Sequence, residues 1–247
     1  MGTKVNSNVT QKAAKSPGLN MIQQGLITGF PIMLGYLPIA ITFGVLAKQA
    51  GMTLWELTLM SMLVFAGASQ FMGANMIAVG AGAIEIVIAT FVLNFRHFVM
   101  NLSFMNQLRP IALRWKIPLS LGLTDESFAV SSMHPDKAKE EKGGYFYASL
   151  FLVAYLSWVL GSLLGGILGD IIPEILSQSM GIALYAMFIG LLVPSVKKEK
   201  KVGLIAILAM LINALCVQLG MSAGWGIVTA TVIGGFSGIF LLKEEKE

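Results

Sequence analysis

Two long runs of uncharged residues constrain the fold of this chain more than any other feature. Residues 145–169 read YFYASLFLVAYLSWVLGSLLGGILG, and residues 202–242 form a second uncharged run. Because about 20 apolar residues in a helix cross the hydrocarbon core of a bilayer, the first run predicts one membrane span and the second predicts two. The sequence therefore predicts an all-α, polytopic membrane protein.

The composition agrees with a lipid solvent. Charged residues make up 12% of the 247 residues and hydrophobic residues 55%, whereas a soluble domain carries about 25% charged residues. Between a polar tail (1–20) and a charged tail (243–247) we expect one transmembrane domain (21–242) with six to eight membrane segments. The candidate segments are 26–47, 57–80, 83–104, 117–132, 145–169, 180–196, 202–221 and 225–242.

The charged connectors predict the topology. Lys and Arg are enriched in cytoplasmic loops, which places the N-terminal tail, 134–142 and 197–201 on the cytoplasmic side. The basic connector 109–116 obeys this rule only if 57–80 and 117–132 do not cross the bilayer fully. Two arrangements stay open: both segments span and 109–116 lies outside, or both are broken or re-entrant and every basic cluster lies inside.

Residue choice favours the irregular arrangement. Residues 57–80 concentrate Gly, Ser, Gln and Asn at their centre, and 117–132 is short with two acids in its middle. Non-helical backbone at membrane depth is tolerated where protein covers it or where it lines a polar cavity. We therefore expect an internal cavity.

Segment 26–47 also carries helix-breaking residues. Pro31, Gly35 and Pro38 follow one another within two turns, and proline removes a helix donor and clashes with the preceding turn. The pattern predicts a broken helix whose free backbone groups face a midplane site, as in secondary transporters. A simple proline kink is the alternative.

The first polar cluster at membrane depth is the stretch AGASQ. Small residues such as Gly67, Ala68 and Ser69 let helices approach closely, so helix packing alone explains them. The amide of Gln70, however, needs hydrogen-bond partners away from water. We therefore expect these four residues to line a binding site.

The second cluster is NFRH. On a helix Asn94 and His97 share one face with Asn101, and such a stripe implies a polar interior on that side. Arg96 stands beside the stripe, where a guanidinium at the bilayer centre costs about 2.5–3.5 kcal/mol. We expect all three NFRH polar residues to contact substrate. Arg96 has two alternatives: snorkelling to the interface, or pairing with an acid from another segment.

The third cluster is the acid pair Asp125 and Glu126. Thr124 before them would cap a helix whose first turn favours acids, so capping alone explains the pattern. The functional alternative is an ion pair with Arg96, or a carboxylate that carries a coupling proton.

The sequence shows no motif for a cofactor or for catalysis. The two histidines and the single cysteine lack metal-ligand spacing, and no Walker lysine or glycine-rich phosphate loop is present. Basic cytoplasmic loops explain the net charge of +4. We expect no cofactor, no metal, no nucleic-acid partner and no enzymatic activity.

Four stretches in order carry a resemblance to a known family. They are PIMLGYLPIAITFGVLAKQAG, SMLVFAGASQF, LNFRHFVMNLSF and LTDESFA. Together they resemble the AzlC family, the YgaZ-like large subunits of branched-chain amino acid exporters, over residues from about 25 to 130. The signature residues carried over are Gly67, Ser69, Gln70, Asn94, Arg96, His97, Asp125 and Glu126.

The resemblance implies an exporter in the bacterial cytoplasmic (inner) membrane, with both termini in the cytoplasm. It implies leucine, isoleucine, valine and methionine as substrates, the proton gradient as the energy source, and a small hydrophobic AzlD/YgaH-like subunit as partner. Two alternatives remain. The protein is a permease or channel for another small solute, or it is a membrane subunit whose polar stripe binds a partner helix.

Overall fold

The computed structural model describes residues 17–172 and 182–241, and every regular element in these ranges is helical. Each of the eight predicted apolar segments corresponds to one helix or to a pair of shorter helices, so the all-α prediction is confirmed. The helices are α1 (Pro17–Gln49), α2 (Leu54–Leu63), α3 (Gly67–Ala78), α4 (Ala83–Gln107), α5 (Leu113–Leu121), α6 (Asp125–Ser132), a 3₁₀ turn (Pro135–Ala138), α7 (Gly143–Leu168), α8 (Ile182–Lys198), α9 (Lys200–Gln218) and α10 (Ala223–Leu241). Within the described ranges α1, α4, α7 and α9 are long and apolar enough to cross a membrane.

Helices α1 and α7 form a tightly packed parallel pair at the centre. Near their starts, a Cβ added to Gly25 would lie 2.0 Å from Oγ of Ser149. Near their ends, one added to Gly44 would lie 2.1 Å from the carbonyl oxygen of Ser162. Small residues at such crossings let membrane helices approach to backbone contact. The pair therefore forms a glycine seam along most of both helices.

The predicted interruption of segment 26–47 is wrong, because α1 is one continuous helix from Pro17 to Gln49 with Pro31 and Pro38 inside it. Pro31, Gly35 and Pro38 are all exposed on its outer surface and do not face the site. A membrane helix tolerates proline where neighbouring helices hold it in place. Here the seam with α7 holds both halves of α1.

Helices α2 and α3 form a re-entrant hairpin, called hairpin 1. Helix α2 starts beside the end of α7, and its last turn reaches the middle of α7, where the Tyr155 hydroxyl donates to the Met62 carbonyl at 3.0 Å. The chain then turns back between α2 and α3. The evidence is the distance of 3.0 Å between Gln70 Nε2 in α3 and Oγ of Ser61 in α2. Nine residues along a straight helix would separate these positions by about 13 Å.

Helices α5 and α6 form a second re-entrant hairpin, called hairpin 2, from the opposite face. Trp115 near its start packs on Tyr145 at the beginning of α7, with ring centroids 4.8 Å apart. Helix α6 returns to the same face, where the Ser131 carbonyl accepts a hydrogen bond of 2.7 Å from Gln107 at the end of α4. The prediction that 57–80 and 117–132 are irregular is thus confirmed.

The remaining helices place every basic connector on one face. Helix α4 runs antiparallel to α7, since Phe104 near its end packs on Tyr147. Glu85 at its start accepts hydrogen bonds from Ser222 and from the Trp225 amide, which puts the α9–α10 turn at the face where hairpin 1 enters. The connectors 109–116, 134–142 and 197–201 therefore lie together at the opposite face.

Candidate functional site

The tips of the two hairpins meet near the middle of α1, α4 and α7, around a small cavity of about 30 Å³. This is the internal polar cavity that the irregular segments predict. Its lining residues are Tyr36, Ile39, Phe65, Ala66, Gly67, Ala68, Arg96, His97, Thr124, Asp125, Glu126 and Trp158. The cavity thus brings together the second and third polar clusters of the sequence, 94–97 and 124–126, which lie about 30 positions apart in the chain.

Arg96 forms an ion pair with the first acid of hairpin 2. Its Nη2 lies 3.0 Å from Oδ2 of Asp125, and about 30% of each side chain is exposed. Of the alternatives for Arg96, the structure shows the pair with an acid from another segment rather than snorkelling. Arg96 Nε is buried and has no hydrogen-bond partner among the described residues, so the guanidinium keeps a donor for a further anion.

Glu126 is held by an uncharged group instead. Its Oε2 accepts a short hydrogen bond from the Tyr36 hydroxyl of α1, and that hydroxyl also lies 2.7 Å from Thr124 Oγ1. Thr124 caps α6 together with Ser127 in a reciprocal capping box. The capping interpretation is therefore confirmed, while the two acids are also engaged by α4 and α1.

His97 and Asn101 bind the backbone of hairpin 2. His97 Nδ1 lies 3.1 Å from the carbonyl oxygen of Leu123, and a carbonyl only accepts, so this nitrogen carries the hydrogen. Asn101 Nδ2 donates to the Ser120 carbonyl at 3.2 Å. The α4 stripe therefore faces a protein interior as predicted. Asn94 is half-buried but does not line the cavity.

Hairpin 1 is held by neutral hydrogen bonds around Gln70. Its Oε1 accepts from the Trp158 indole at 2.9 Å and from the Ala66 amide at 3.2 Å, and its Nε2 donates to Ser61. Ser69 donates to the Ala66 carbonyl at 2.9 Å. Ser69 and Gln70 are fully buried and lie behind the cavity wall, so their polar groups are used within the protein.

Gly67 and Ala68 do line the cavity, at the start of α3. No side chain caps this helix, and the first amides of a helix carry partial positive charge. A Cβ on Gly67 would lie 2.7 Å from the Trp158 ring, so glycine allows this close approach. The site thus combines an uncapped helix start with Arg96, both suited to an anion, and the acids Asp125 and Glu126, suited to a cation.

Sequence reasoning gave no role to Tyr36, Ile39 and Trp158, which line the cavity. Tyr36 and Trp158 lie in apolar runs of α1 and α7, where an aromatic residue gives no functional signal. Phe65 has a positive φ of 41° at the tip of hairpin 1, an uncommon conformation for a residue with a side chain. A hydroxyl at the centre of a span was the available signal for Tyr36, because it needs a buried partner.

The cavity is too small for an amino acid. A volume of about 30 Å³ accommodates one or two water molecules, so a larger solute enters only if a hairpin moves. In the described residues no group of three His, Cys, Asp or Glu side chains is placed to hold a metal ion.

The fold and the site define a polytopic helical membrane protein with a charged, partly exposed site between two re-entrant hairpins. The family model for the AzlC protein matches residues 31–172, more than half of the chain, and includes both hairpins. The chain belongs to the AzlC family.

Several relatives support this assignment. An uncharacterized membrane protein of Archaeoglobus fulgidus is 33% identical over 72% of this chain and 77% of its own. The inner membrane protein YgaZ of Escherichia coli is 25% identical over 81% of this chain and 82% of its own. The branched-chain amino acid transport protein AzlC of Bacillus subtilis is 28% identical over 69% and 66%. No solved structure gives a significant match.

Proposed function

We propose that the protein exports branched-chain amino acids, with methionine as a further substrate, across the bacterial cytoplasmic membrane. The proton gradient supplies the energy, and a small hydrophobic AzlD/YgaH-like protein completes the exporter. The name of the Bacillus subtilis relative, a branched-chain amino acid transport protein, supports the substrate class. The grouping of all described basic connectors on one face supports a cytoplasmic location for that face and for both termini.

The observation that carries the proposal is the Arg96–Asp125 pair at the junction of the hairpins. A zwitterionic amino acid presents one anion and one cation, and it inserts between these partners. Its carboxylate binds Arg96 and the first amides of α3, and its ammonium binds Asp125. The substrate thereby replaces the contact between Arg96 and Asp125 that holds hairpin 2 to α4.

Glu126 is the better candidate for the coupling proton. Its described hydrogen-bond partner is the neutral Tyr36 hydroxyl, so protonation does not leave a cation unpaired. Loss of its charge weakens the contact to α1 and lets hairpin 2 leave the site. Proton uptake at Glu126 and substrate binding at Asp125 then act on the same hairpin. His97 completes the polar wall from α4.

The apolar part of the substrate needs a hydrophobic wall. Ile39, Phe65 and Trp158 in the lining of the cavity supply one. The site enlarges when hairpin 2 moves away from α4, because the Arg96–Asp125 contact then opens and leaves room for the substrate between the two residues. This wall accepts aliphatic side chains of several shapes, which fits leucine, isoleucine, valine and methionine.

The test uses a strain without its own branched-chain exporters, loaded with dipeptides. We expect the chain, expressed with its small subunit, to release these four amino acids, and a protonophore to stop the release. Arg96→Ala should lower the rate at least tenfold, because it removes the carboxylate partner. Arg109→Ala is the matched control, since Arg109 is exposed and its side chain donates to Asn106 on the same stretch of chain.

Membrane insertion of both variants is measured with a fluorescent C-terminal fusion. Unchanged export by Arg96→Ala at equal membrane level would refute the site. Release that continues at full rate with the protonophore would refute the proton coupling alone.

A further inference from the structure

An apolar groove lies on the surface between the two hairpins and α7. Its volume is about 470 Å³, within the range of about 300–1,000 Å³ typical of ligand sites. Leu63, Leu121 and Leu152 are exposed along its walls. The hydroxyl of Tyr155 is already bonded to the Met62 carbonyl. The described lining residues of the groove therefore present an apolar surface without a free hydroxyl group.

The groove continues into a polar pocket at the basic face. The second pocket has a volume of about 210 Å³, and Trp115 lines both. Trp115 packs edge-on against Tyr145 at the junction. Trp and Tyr side chains collect where the hydrocarbon core meets the headgroups, so this junction marks the membrane interface.

The polar pocket carries an excess of positive charge. Arg114 and Lys142 line it and are exposed, and no ion pair to either exists within the described ranges. Glu140 also lines the pocket, but its carboxylate is paired with Lys137 at 2.7 Å. Arg114 and Lys142 are therefore available for an anion from outside the chain.

The combined site is slightly longer than the hydrocarbon part of one leaflet. From Gly143 in the polar pocket to Tyr155 at the inner end of the groove, α7 rises about 18 Å. Half of a hydrocarbon core of about 30 Å is about 15 Å. A partner helix would need a groove that crosses both leaflets, whereas the tip of hairpin 1 closes this one near the midplane.

We propose that an anionic phospholipid of the basic-face leaflet binds in this site. One acyl chain lies in the groove between α5 and α7, and the phosphate group is bound by Arg114 and Lys142. The chain packs against Phe65 and the first arm of hairpin 2, so the bound lipid stabilises the closed arrangement of both tips. The proposal is independent of what the protein transports.

The experiment measures thermal unfolding of the purified full-length protein in detergent with added lipid. We expect phosphatidylglycerol at about a hundredfold excess over its dissociation constant to raise the midpoint by about 5–10 °C. Phosphatidylcholine should raise it less, because its headgroup is neutral overall. Glycerol 3-phosphate, which has the anion but no acyl chain, should have no effect.

Two variants separate the headgroup from the acyl chain. The double variant Arg114→Gln/Lys142→Gln should reduce the phosphatidylglycerol shift to that of phosphatidylcholine. Leu152→Trp fills the groove and should reduce the shift for both lipids. The matched controls are Arg109→Gln/Lys139→Gln, exposed and on the same face, and Leu160→Trp on α7. Leu160 is 54% exposed against 52% for Leu152 but lies outside the groove.

Three outcomes would overturn the proposal. Equal losses in the Arg109/Lys139 control would mean general attraction to a basic face. A full shift in Leu152→Trp would mean that no chain enters the groove. A photo-crosslinker at Leu152 that captures a protein and no lipid in native membranes would assign the groove to a helix.

Discussion

The two re-entrant hairpins are similar in backbone but different in how their tips are held. Hairpin 1 is fixed to α7 by neutral hydrogen bonds around a fully buried Gln70. Hairpin 2 also accepts neutral hydrogen bonds from His97 and Asn101, but its acids add the Arg96–Asp125 ion pair and the contact between Tyr36 and Glu126. A zwitterion or a proton competes with charged contacts and not with buried neutral ones. In the exporter that we propose, hairpin 2 is therefore the gate and hairpin 1 a fixed wall.

The largest effect is expected from exchanging the charges at hairpin 2. Arg96→Asp alone faces Asp125 and Glu126 with a third negative charge, which should cost about 3 kcal/mol of stability. Adding Asp125→Arg should restore most of the lost stability. Transport should not return, because the positive charge is then on hairpin 2, which moves, and no longer on α4. Thermal unfolding and export are measured in parallel. Recovery of both would show that the pair is only structural.

The second largest effect is expected from a substitution in hairpin 1, the fixed wall. Gln70→Leu removes three hydrogen bonds and leaves the Trp158 indole, the Ser61 hydroxyl and the Ala66 amide without a partner. We expect a loss of about 2 kcal/mol with an unchanged KM for leucine in the protein that remains folded. Gln24→Leu, on the surface of α1, is the control. A tenfold rise in KM would assign hairpin 1 a direct role in binding.

The smallest effects come from a matched pair, each removing one hydroxyl. Ser61→Ala in hairpin 1 and Tyr36→Phe in α1, facing hairpin 2, should each cost about 1 kcal/mol of stability. Only Tyr36→Phe should change the dependence of export on the proton gradient, because only it releases Glu126. Export is compared at several external pH values. Equal pH profiles for both variants would remove the distinction between gate and wall.

The arrangement of the hairpins was largely predictable, and their contacts were not. Irregular backbone is predicted by the Gly and Gln at the centre of 57–80 and by the acids at the centre of 117–132. A continuous helix exposed to lipid does not accommodate such polar residues. The partner of Arg96 was left open between Asp125, Glu126 and a substrate. Only the folding-back of hairpin 2 onto α4 brings one acid to 3.0 Å from Arg96.

The errors have physical causes as well. The residues Pro31, Gly35 and Pro38 suggested a break, but proline alone does not decide a membrane helix whose neighbour supports it. Trp158 carries no sequence signal, since its partner Gln70 lies 88 positions away. Local patterns report what a segment tolerates, whereas long-range contacts decide which polar groups remain free for a ligand.

The glycine seam has a consequence for how the chain is made. Gly44 packs on backbone about 120 positions later in the sequence, and ribosomes add about 5–20 residues per second. For roughly 6–24 s, α1 therefore waits in the bilayer with its contact surface open to lipid. Until α7 arrives, Gln70 of hairpin 1 lacks its Trp158 partner. Assembly of this protein thus depends on a helix, α7, that is synthesised late. Variants that slow the synthesis of residues 113–142 should prolong the stage in which the contact surface of α1 is exposed to lipid.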